Sequence, residues 1–241
     1  MRRLLLILVC LIPACPTVGQ PASAQQTVTF ATEDGGTIAA DLYGSGERGL
    51  VLAHGGRFTK ESWEPQARQF AAAGFRVLAF DFRGFGKSHG PGEKDFDNAP
   101  FQLDVLAAVR YLHATGAKSV SVVGGSFGGS AAGDASIAAR PGEIERIVML
   151  GAAPNGPAEK LKCSSLWIVA RDDSSGDGPR LPGIQAQYEK APEPKKLIVL
   201  EGSTHAQYLF QTSQGERVMR EILSFLTGIN SYITNTGLPV R

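Results

Sequence analysis

The sequence has few cysteines, which excludes a fold held together by disulfides. Two of its three cysteines, Cys10 and Cys15, lie in an apolar amino-terminal segment, so Cys163 stands alone in the rest of the chain. We expect this thiol to be buried and inert, because it has no partner and follows no strand-to-helix turn. The four histidines include no pair at metal-ligand spacing, and no CxxC occurs. We therefore predict neither a metal nor a cofactor.

An excess of charge of one sign is also missing. Lys and Arg number 24 against 23 Asp and Glu, a formal net charge of +1. This balance gives no reason to expect nucleic acid or an anionic membrane as a partner. The contents of 43% hydrophobic and 20% charged residues are those of an ordinary globular protein. A chain of 241 residues can bury a sizeable core without staples, and nothing in it defines an oligomeric state.

The amino-terminal apolar run is too short to cross a membrane. It covers nine residues, Leu4–Ile12, whereas a spanning helix needs ~20. Two arginines precede this run, and an A-x-A cleavage pattern ends at Ala24. We predict a signal peptide over residues 1–24 and a secreted or periplasmic protein, with lipid attachment at Cys15 as the alternative. Residues 25–241 are then expected to form one domain.

The remaining pattern alternates strands with helices. Alternating segments at 27–31 and 37–42 flank Asp34-Gly35-Gly36, which predicts an antiparallel hairpin. The other predicted strands and helices are strands at 50–53, 76–80, 119–123, 144–150, 166–170 and 197–200, and helices at 62–73, 100–115, 131–140, 184–190 and around 218–226. This order predicts an α/β fold: a mostly parallel sheet with helices on both faces. Such sheets bind ligands at the carboxyl ends of their strands.

The strand at 119–123 is followed by GGSFGG at 124–129, which contains the pattern G-x-S-x-G around Ser126. The pattern alone is weak evidence in a chain with 29 glycines. Its position between a strand and a helix is what predicts a sharp turn that exposes a nucleophilic serine. A serine hydroxyl needs a base to act as a nucleophile.

The base and the acid are expected on loops after later strands. His205 follows the strand at 197–200, and Asp172 and Asp173 follow the strand at 166–170. We predict His205 as the base and Asp173 as the acid that orients it, with Asp172 as the alternative and a plain acidic turn as the non-catalytic interpretation. The chain order Ser126, Asp173, His205 is that of an α/β hydrolase.

Two backbone N–H groups are expected to bind the oxyanion of a tetrahedral intermediate. One belongs to Phe127, directly after the nucleophile. The other is predicted at Gly56, in the segment HGG that follows the strand at 50–53, with Arg57 as its neighbouring alternative. His54 in the same segment is expected to brace the loop.

From Thr27 to Leu226 the chain resembles the α/β-hydrolase superfamily. The resemblance rests on five segments: HGG at 54–56, DFRGFGKS at 81–88, GGSFGG at 124–129, ARDD at 170–173 and GSTH at 202–205. It is similar above all to small lid-free members of the dienelactone hydrolase and carboxylesterase kind. It departs from the dienelactone hydrolases by having Ser126 where they use Cys. GFGKS is not a P-loop, because Asp81 occupies the position of the first glycine.

The sequence thus predicts a hydrolase of small carboxylic esters, with a thioesterase, a peptidase or a non-catalytic binding protein as alternatives. Only 15 residues separate the strands at 144–150 and 166–170, too few for a separate lid domain. We expect an open site walled by Arg57, Phe58, Phe127 and the loop around Pro154. Such a site favours short-chain esters.

Overall fold

The computed structural model describes residues 25–228, so the predicted signal peptide lies outside the described residues. The described strands, in chain order, are β1 (Gln26–Ala31), β2 (Thr37–Tyr43), β3 (Arg48–Ala53), β4 (Phe75–Phe80), β5 (Ser119–Gly125), β6 (Arg146–Leu150), β7 (Ser164–Ala170), β8 (Ser174–Ser175), β9 (Gly178–Pro179) and β10 (Lys195–Leu200). The described α-helices are α1 (Glu64–Ala72), α2 (Phe101–Ala114), α3 (Phe127–Ala138), α4 (Leu181–Lys190) and α5 (Gly215–Thr227). Short 3₁₀ helices cover Lys60–Trp63, Ala158–Lys160 and Ala206–Gln211.

Eight strands form one sheet in the order β1-β2-β4-β3-β5-β6-β7-β10. β1 pairs with β2 and β2 with β4 in antiparallel fashion, and the other neighbouring pairs are parallel. The predicted α/β fold and its amino-terminal hairpin are confirmed. In the parallel register Ala53 lies opposite Gly124, and Ala170 lies opposite Leu200. The loops that leave β3 and β5 therefore start side by side, as do those that leave β7 and β10.

Helices cover both faces of this sheet, and each central strand feeds two cores. In β3, Val51 and Ala53 pack in the core that contains residues of α2, α3 and α4, whereas Leu50 and Leu52 pack in the core with α1 and α5. Successive side chains of a strand point to opposite faces, so a strand buried on both faces reads as an unbroken apolar run. Truncating a fully buried leucine such as Leu52 to alanine costs ~2–5 kcal/mol.

Several local features near the candidate site differ from the sequence-based prediction. Helix α3 begins at Phe127, four residues before the predicted start at Ala131, so its first turn contains two glycines. Their low helix propensity hides this turn from a propensity-based prediction. A 3₁₀ turn at Lys60–Trp63 precedes α1, and the β8–β9 hairpin was not predicted. Strands of two residues are too short to show a periodicity.

The connection from β6 to β7 is short, as predicted. It spans residues 151–163 and contains one 3₁₀ turn, Ala158–Lys160, so no lid domain is inserted here. None of the helices within residues 25–228 has the length and apolar character needed to cross a bilayer.

Candidate active site

Ser126 lies in the sharp turn between β5 and α3. Its backbone has φ +52° and ψ −125°, a strained combination for a residue with a Cβ. A Cβ added at Gly124 would overlap the carbonyl oxygen of Gly128, and one added at Gly128 would overlap that of Ala53. Glycine is therefore required at both positions, which accounts for the two glycines of the G-x-S-x-G pattern. The Ser126 N–H donates to the Leu150 carbonyl at 2.8 Å, which ties the turn to β6.

The Ser126 hydroxyl lies within hydrogen-bond distance of His205. The His205 Nε2 to Ser126 Oγ distance is 2.7 Å, and the His205 Nδ1 to Asp173 Oδ2 distance is also 2.7 Å. A carboxylate can only accept, so Nδ1 carries the proton and Nε2 is free to accept from the hydroxyl. The structure thus brings the three predicted residues into one hydrogen-bonded chain, with the imidazole in the tautomer that general-base catalysis needs.

The two adjacent aspartates at 172 and 173 occupy different environments. Asp173 is completely buried, whereas Asp172 is exposed and its N–H donates to the Gly202 carbonyl at 2.9 Å. A Cβ at Gly151 would come within 3.0 Å of both Asp173 Oδ2 and His205 Nδ1. Only Asp173 reaches the imidazole, and a residue without a side chain at 151 leaves room for this contact.

His54 is a neutral residue that orients the loop after β3. The Phe82 N–H donates to His54 Nε2 at 3.3 Å, so Nδ1 carries the proton and donates to the Gly55 carbonyl at 2.9 Å. Burial lowers the pKa of His54 to about 4. The carboxylate of Asp81 lies 4.0 Å from Nε2, beyond hydrogen-bond distance. The expectation that His54 braces its loop agrees with these contacts.

The peptide between Gly55 and Gly56 has a defined direction. Its carbonyl oxygen accepts from His54 Nδ1 and from the Phe58 N–H at 3.0 Å. In a trans peptide the N–H points away from the carbonyl, so the Gly56 N–H is directed away from these donors. Neither it nor the Phe127 N–H donates to any other residue in the range 25–228. A Cβ at Gly56 would lie 3.9 Å from that of Phe127, so the two predicted oxyanion donors belong to neighbouring residues.

Gln207 joins the loop that carries His205 to this peptide segment. The Gly55 N–H donates to Gln207 Oε1 at 2.7 Å, and Gln207 Nε2 donates to Ser62 Oγ at 2.9 Å. The side chain is only 6% exposed, so both ends of its amide are satisfied inside the protein. A Cβ at Gly125 would come within 2.8 Å of Gln207 Cγ, which places Gln207 against the strand that leads to Ser126.

A cavity of about 430 Å³ opens beside Ser126. Its lining residues come from the nucleophile turn, the segment after β6, the β8–β9 hairpin and the start of α4: Ser126, Phe127, Ser130, Gly151, Ala152, Ala153, Ser175, Asp177, Gly178, Pro179, Arg180, Gly183 and Ile184. Its ionisable side chains are Asp177 and Arg180. This volume suits a small organic ligand.

The walls of this cavity differ in part from those expected. Phe127 and residues 151–153 line it, but Arg57 and Phe58 do not. Phe58 packs on Tyr208, with ring centroids 5.1 Å apart, and Arg57 is exposed. The β8–β9 hairpin and the start of α4 instead supply a wall that was not predicted. Contact of substrate with Arg57 and Phe58 stays a prediction.

Two other features noted in the sequence are placed away from the cavity. The Cys163 Sγ lies 3.1 Å from Ser136 Oγ, and burial raises the pKa of its thiol to about 11. In the GFGKS segment, Ser88 Oγ accepts from the Ala39 N–H at 2.9 Å, which anchors the segment to β2. The contact of Ser88 agrees with the structural role expected for its segment, whereas Cys163 is half-buried and not fully buried as predicted. Within residues 25–228, no group of three or more His, Cys, Asp or Glu is arranged to hold a metal ion.

Two residues of the candidate site, Gln207 and Arg180, were missed by sequence reasoning. Neither belongs to a periodic segment or a motif. Gln207 lies two residues after the predicted base, but its contact with Gly55 joins positions 152 residues apart. Arg180 lines the cavity because of the unpredicted hairpin. No local signal identifies contacts of this kind.

The family model of the α/β hydrolase fold matches residues 50–234, so the chain belongs to this family. It is 32% identical over 152 residues to a non-heme chloroperoxidase of Streptomyces lividans, covering 62% of this chain and 49% of that protein. It is 33% identical over 155 residues to the serine hydrolase BPHL of Homo sapiens, covering 62% of this chain and 53% of that protein. The chain thus spans about half the length of these curated relatives.

Solved structures share the fold along most of the chain. An esterase of Pyrococcus furiosus, Pf2001, superposes with a TM-score of 0.72 at 19% identity, covering 85% of this chain and 92% of that one. The esterase EaEST of Exiguobacterium antarcticum superposes with a TM-score of 0.68 at 16% identity, covering 84% of this chain and 100% of that one. At such identities the likeness shows the fold and leaves the activity to be inferred from the site.

Proposed function

We propose that this protein is a serine hydrolase that cleaves small carboxylic esters through an acyl-enzyme on Ser126. One observation supports this above all: two 2.7 Å hydrogen bonds join Ser126 to His205 and His205 to Asp173. The strained backbone of Ser126 and the two unpaired N–H groups beside it add to the support. Family membership is in keeping with the proposal.

In the acylation step, Ser126 Oγ attacks the ester carbonyl carbon while His205 Nε2 takes the hydroxyl proton. Asp173 keeps the imidazole oriented and stabilises its protonated form. The carbonyl oxygen becomes an oxyanion, which the N–H groups of Phe127 and Gly56 bind. The carbon–oxygen bond to the alcohol then breaks, and His205 returns its proton to the departing alkoxide. The products are the acyl-enzyme and one alcohol.

In the deacylation step, a water molecule replaces the alcohol. His205 takes a proton from the water as its oxygen attacks the acyl carbon, and the same oxyanion contacts form again. The bond to Ser126 Oγ breaks, and His205 protonates the serine. One carboxylic acid is released, so the whole reaction consumes one water and regenerates the enzyme.

Labelling with a fluorophosphonate probe tests the nucleophile. We expect the wild type to be labelled and Ser126→Ala to stay unlabelled, with its ester hydrolysis lost. Ser130→Ala is the matched control, because Ser130 lines the same cavity; it should still be labelled. Absence of labelling and of hydrolysis in the wild type would instead favour a non-catalytic binding protein. Parallel assays of oxygen esters, thioesters and peptide substrates separate the esterase from the thioesterase and peptidase alternatives.

We also propose that residues 1–24 direct export and are removed after Ala24. The support is the sequence pattern of two arginines, an apolar run and an A-x-A site. Mass spectrometry of the exported protein should show an amino terminus at Gln25. A lipid-modified amino terminus at Cys15 would show that the protein is anchored instead.

A further inference from the structure

The cavity beside Ser126 contains a single cationic side chain, Arg180, among the residues that line it. Arg180 directly precedes α4, and its N–H donates to the backbone carbonyl of Asp173 at 2.9 Å. Its side chain is 34% exposed, so the guanidinium is held against the protein and still reaches the open space. A cation fixed in this way beside a nucleophile requires an explanation, because the proposed chemistry at Ser126 makes no use of it.

Only one edge of the guanidinium has a partner. Arg180 Nε lies 3.5 Å from Asp173 Oδ1, an ion pair that lacks hydrogen-bond geometry. Among residues 25–228, no acceptor pairs with either terminal nitrogen, Nη1 or Nη2. These two nitrogens carry four N–H donors in a planar fork. Asp173 therefore orients the guanidinium, and the terminal N–H donors of Arg180 stay available for a ligand.

The acceptor that best matches such a fork is a carboxylate, which can bind through two parallel hydrogen bonds. The other ionisable residue of the cavity, Asp177, forms no ion pair with Arg180 and is exposed to solvent, where its charge is screened. The amino end of α4 faces the same space through Gly183, which adds to the positive potential there.

We propose that Arg180 binds a carboxylate of the substrate, so that the enzyme prefers esters that carry a negative charge over neutral esters of the same length. This inference rests on the proposed function, because it concerns the substrate of the same site. The charge can belong to the acyl group or to the alcohol, and the two cases are separated by the choice of substrate.

The test compares kcat/KM for matched pairs of esters. Mono-4-nitrophenyl adipate against 4-nitrophenyl hexanoate examines a charge on the acyl group, and 4-acetoxybenzoate against 4-acetoxybenzamide examines a charge on the alcohol. In at least one pair we expect the wild type to favour the anionic ester by about 10- to 100-fold, as expected for a charge-assisted bidentate contact. Arg180→Met should abolish this preference, so that the ratio of the two kcat/KM values falls to about one. Arg180→Lys should retain part of the preference.

Arg171→Met is the matched control. It removes a guanidinium from the same loop, but Arg171 is exposed, pairs with Glu201 at 2.9 Å and does not line the cavity. The ratio of kcat/KM for the anionic ester to kcat/KM for the neutral ester should be the same in Arg171→Met as in the wild type. Calorimetric titration of adipate into Ser126→Ala, with and without Arg180→Met, measures the same contact without turnover and should show weaker binding when Arg180 is absent.

Two results would overturn the inference. One is a wild type that hydrolyses neutral esters and shows no preference for either anionic ester. The other is that Arg180→Met lowers kcat/KM by the same factor for anionic and neutral esters, which would show that Arg180 acts only by orienting Asp173. Failure of the proposed function looks different: the wild type would then hydrolyse neither ester, and the fluorophosphonate probe would leave Ser126 unlabelled.

Discussion

Backbone strain is concentrated at two residues of the candidate site. Ser126 and Ala206 are the non-glycine residues with positive φ among residues 25–228, at +52° and +47°. One is the proposed nucleophile and the other directly follows the proposed base. Such conformations cost ~1–3 kcal/mol each and persist only where the surrounding structure enforces them. Strain at Ser126 and at the residue directly after His205 supports a site built for chemistry.

The first prediction separates the two adjacent aspartates. Asp173→Asn should lower kcat by roughly 10⁴-fold, because an amide at this position can no longer hold the imidazole in its required tautomer. Asp172→Asn should have kcat near the wild-type value, since Asp172 is exposed and does not contact His205. Steady-state kinetics on one ester checks both variants. The reverse pattern would assign the acid to Asp172.

The second prediction concerns His54 and the pH dependence of stability. Its pKa is about 4 in the folded protein and ~6.5 in the unfolded chain. Between these values the unfolded state binds one more proton than the folded state. The contribution of His54 to the free energy of unfolding is therefore lost as the pH falls from 6.5 towards 4. The loss amounts to about 3 kcal/mol. Urea unfolding at pH 7 and pH 4.5 measures most of this loss, about 2 kcal/mol.

His54→Asn should flatten this dependence, because the substituted side chain does not titrate. His89→Asn is the matched control. The His89 side chain is 72% exposed and its ion pair with Glu93 contributes little in water, so the variant should stay close to the wild-type dependence. Identical pH profiles for His54→Asn and the wild type would contradict the neutral, buried His54 of the structure.

At the scale of elements, the strands were easier to predict than the loops between them. Strands β3, β5 and β7 are buried on both faces. Strands β3 and β7 therefore appear as apolar runs, whereas β5 contains Ser119 and Ser121 and is indicated by its β-branched valines. The polar residues after these runs could be placed at one edge of the sheet because parallel strands align their carboxyl ends. The β8–β9 hairpin and the position of Arg180 could not be predicted, because two-residue strands leave no periodic signal and a surface loop follows its tertiary contacts.

The third prediction tests the link between two of these loops. Gln207→Leu removes the acceptor of the Gly55 N–H, so the Gly55–Gly56 segment should lose its fixed orientation. We expect kcat to fall by about 10- to 100-fold with little change in KM, since oxyanion contacts act mainly in the transition state. An arylboronic acid, which forms a tetrahedral adduct with the serine, should bind more weakly by a similar factor.

Gln211→Leu is the control for this variant, because it makes the same substitution at an exposed position of the same 3₁₀ helix. It should match the wild type in kcat and in boronic acid affinity. A rise of KM without a loss of boronic acid affinity in Gln207→Leu would show that Gln207 affects substrate binding and leaves the oxyanion donors in place.

At the scale of the whole molecule, the candidate site is left open by residues 25–228, the part of the chain that the structure describes. The connection between β6 and β7 covers residues 151–163, with one 3₁₀ turn and no helix long enough to bury an apolar face of its own. The long loop between β4 and α2 carries Phe96, whose side chain contacts Phe127 but is 47% exposed. Neither segment encloses the cavity beside Ser126, so a ligand there stays partly in contact with water.

This openness underlies the last prediction, a preference for short esters. Each methylene of an acyl chain contributes ~0.8 kcal/mol only when it is fully buried. The cavity of about 430 Å³ is open to solvent, so the carbons of a long acyl chain that extend past its lining residues remain in water. Across 4-nitrophenyl esters from acetate to palmitate, kcat/KM should therefore peak at short chains and should not jump on emulsified substrate. A rise of roughly tenfold or more towards palmitate would reveal an acyl-binding tunnel that the described residues do not form, and it would refute this preference.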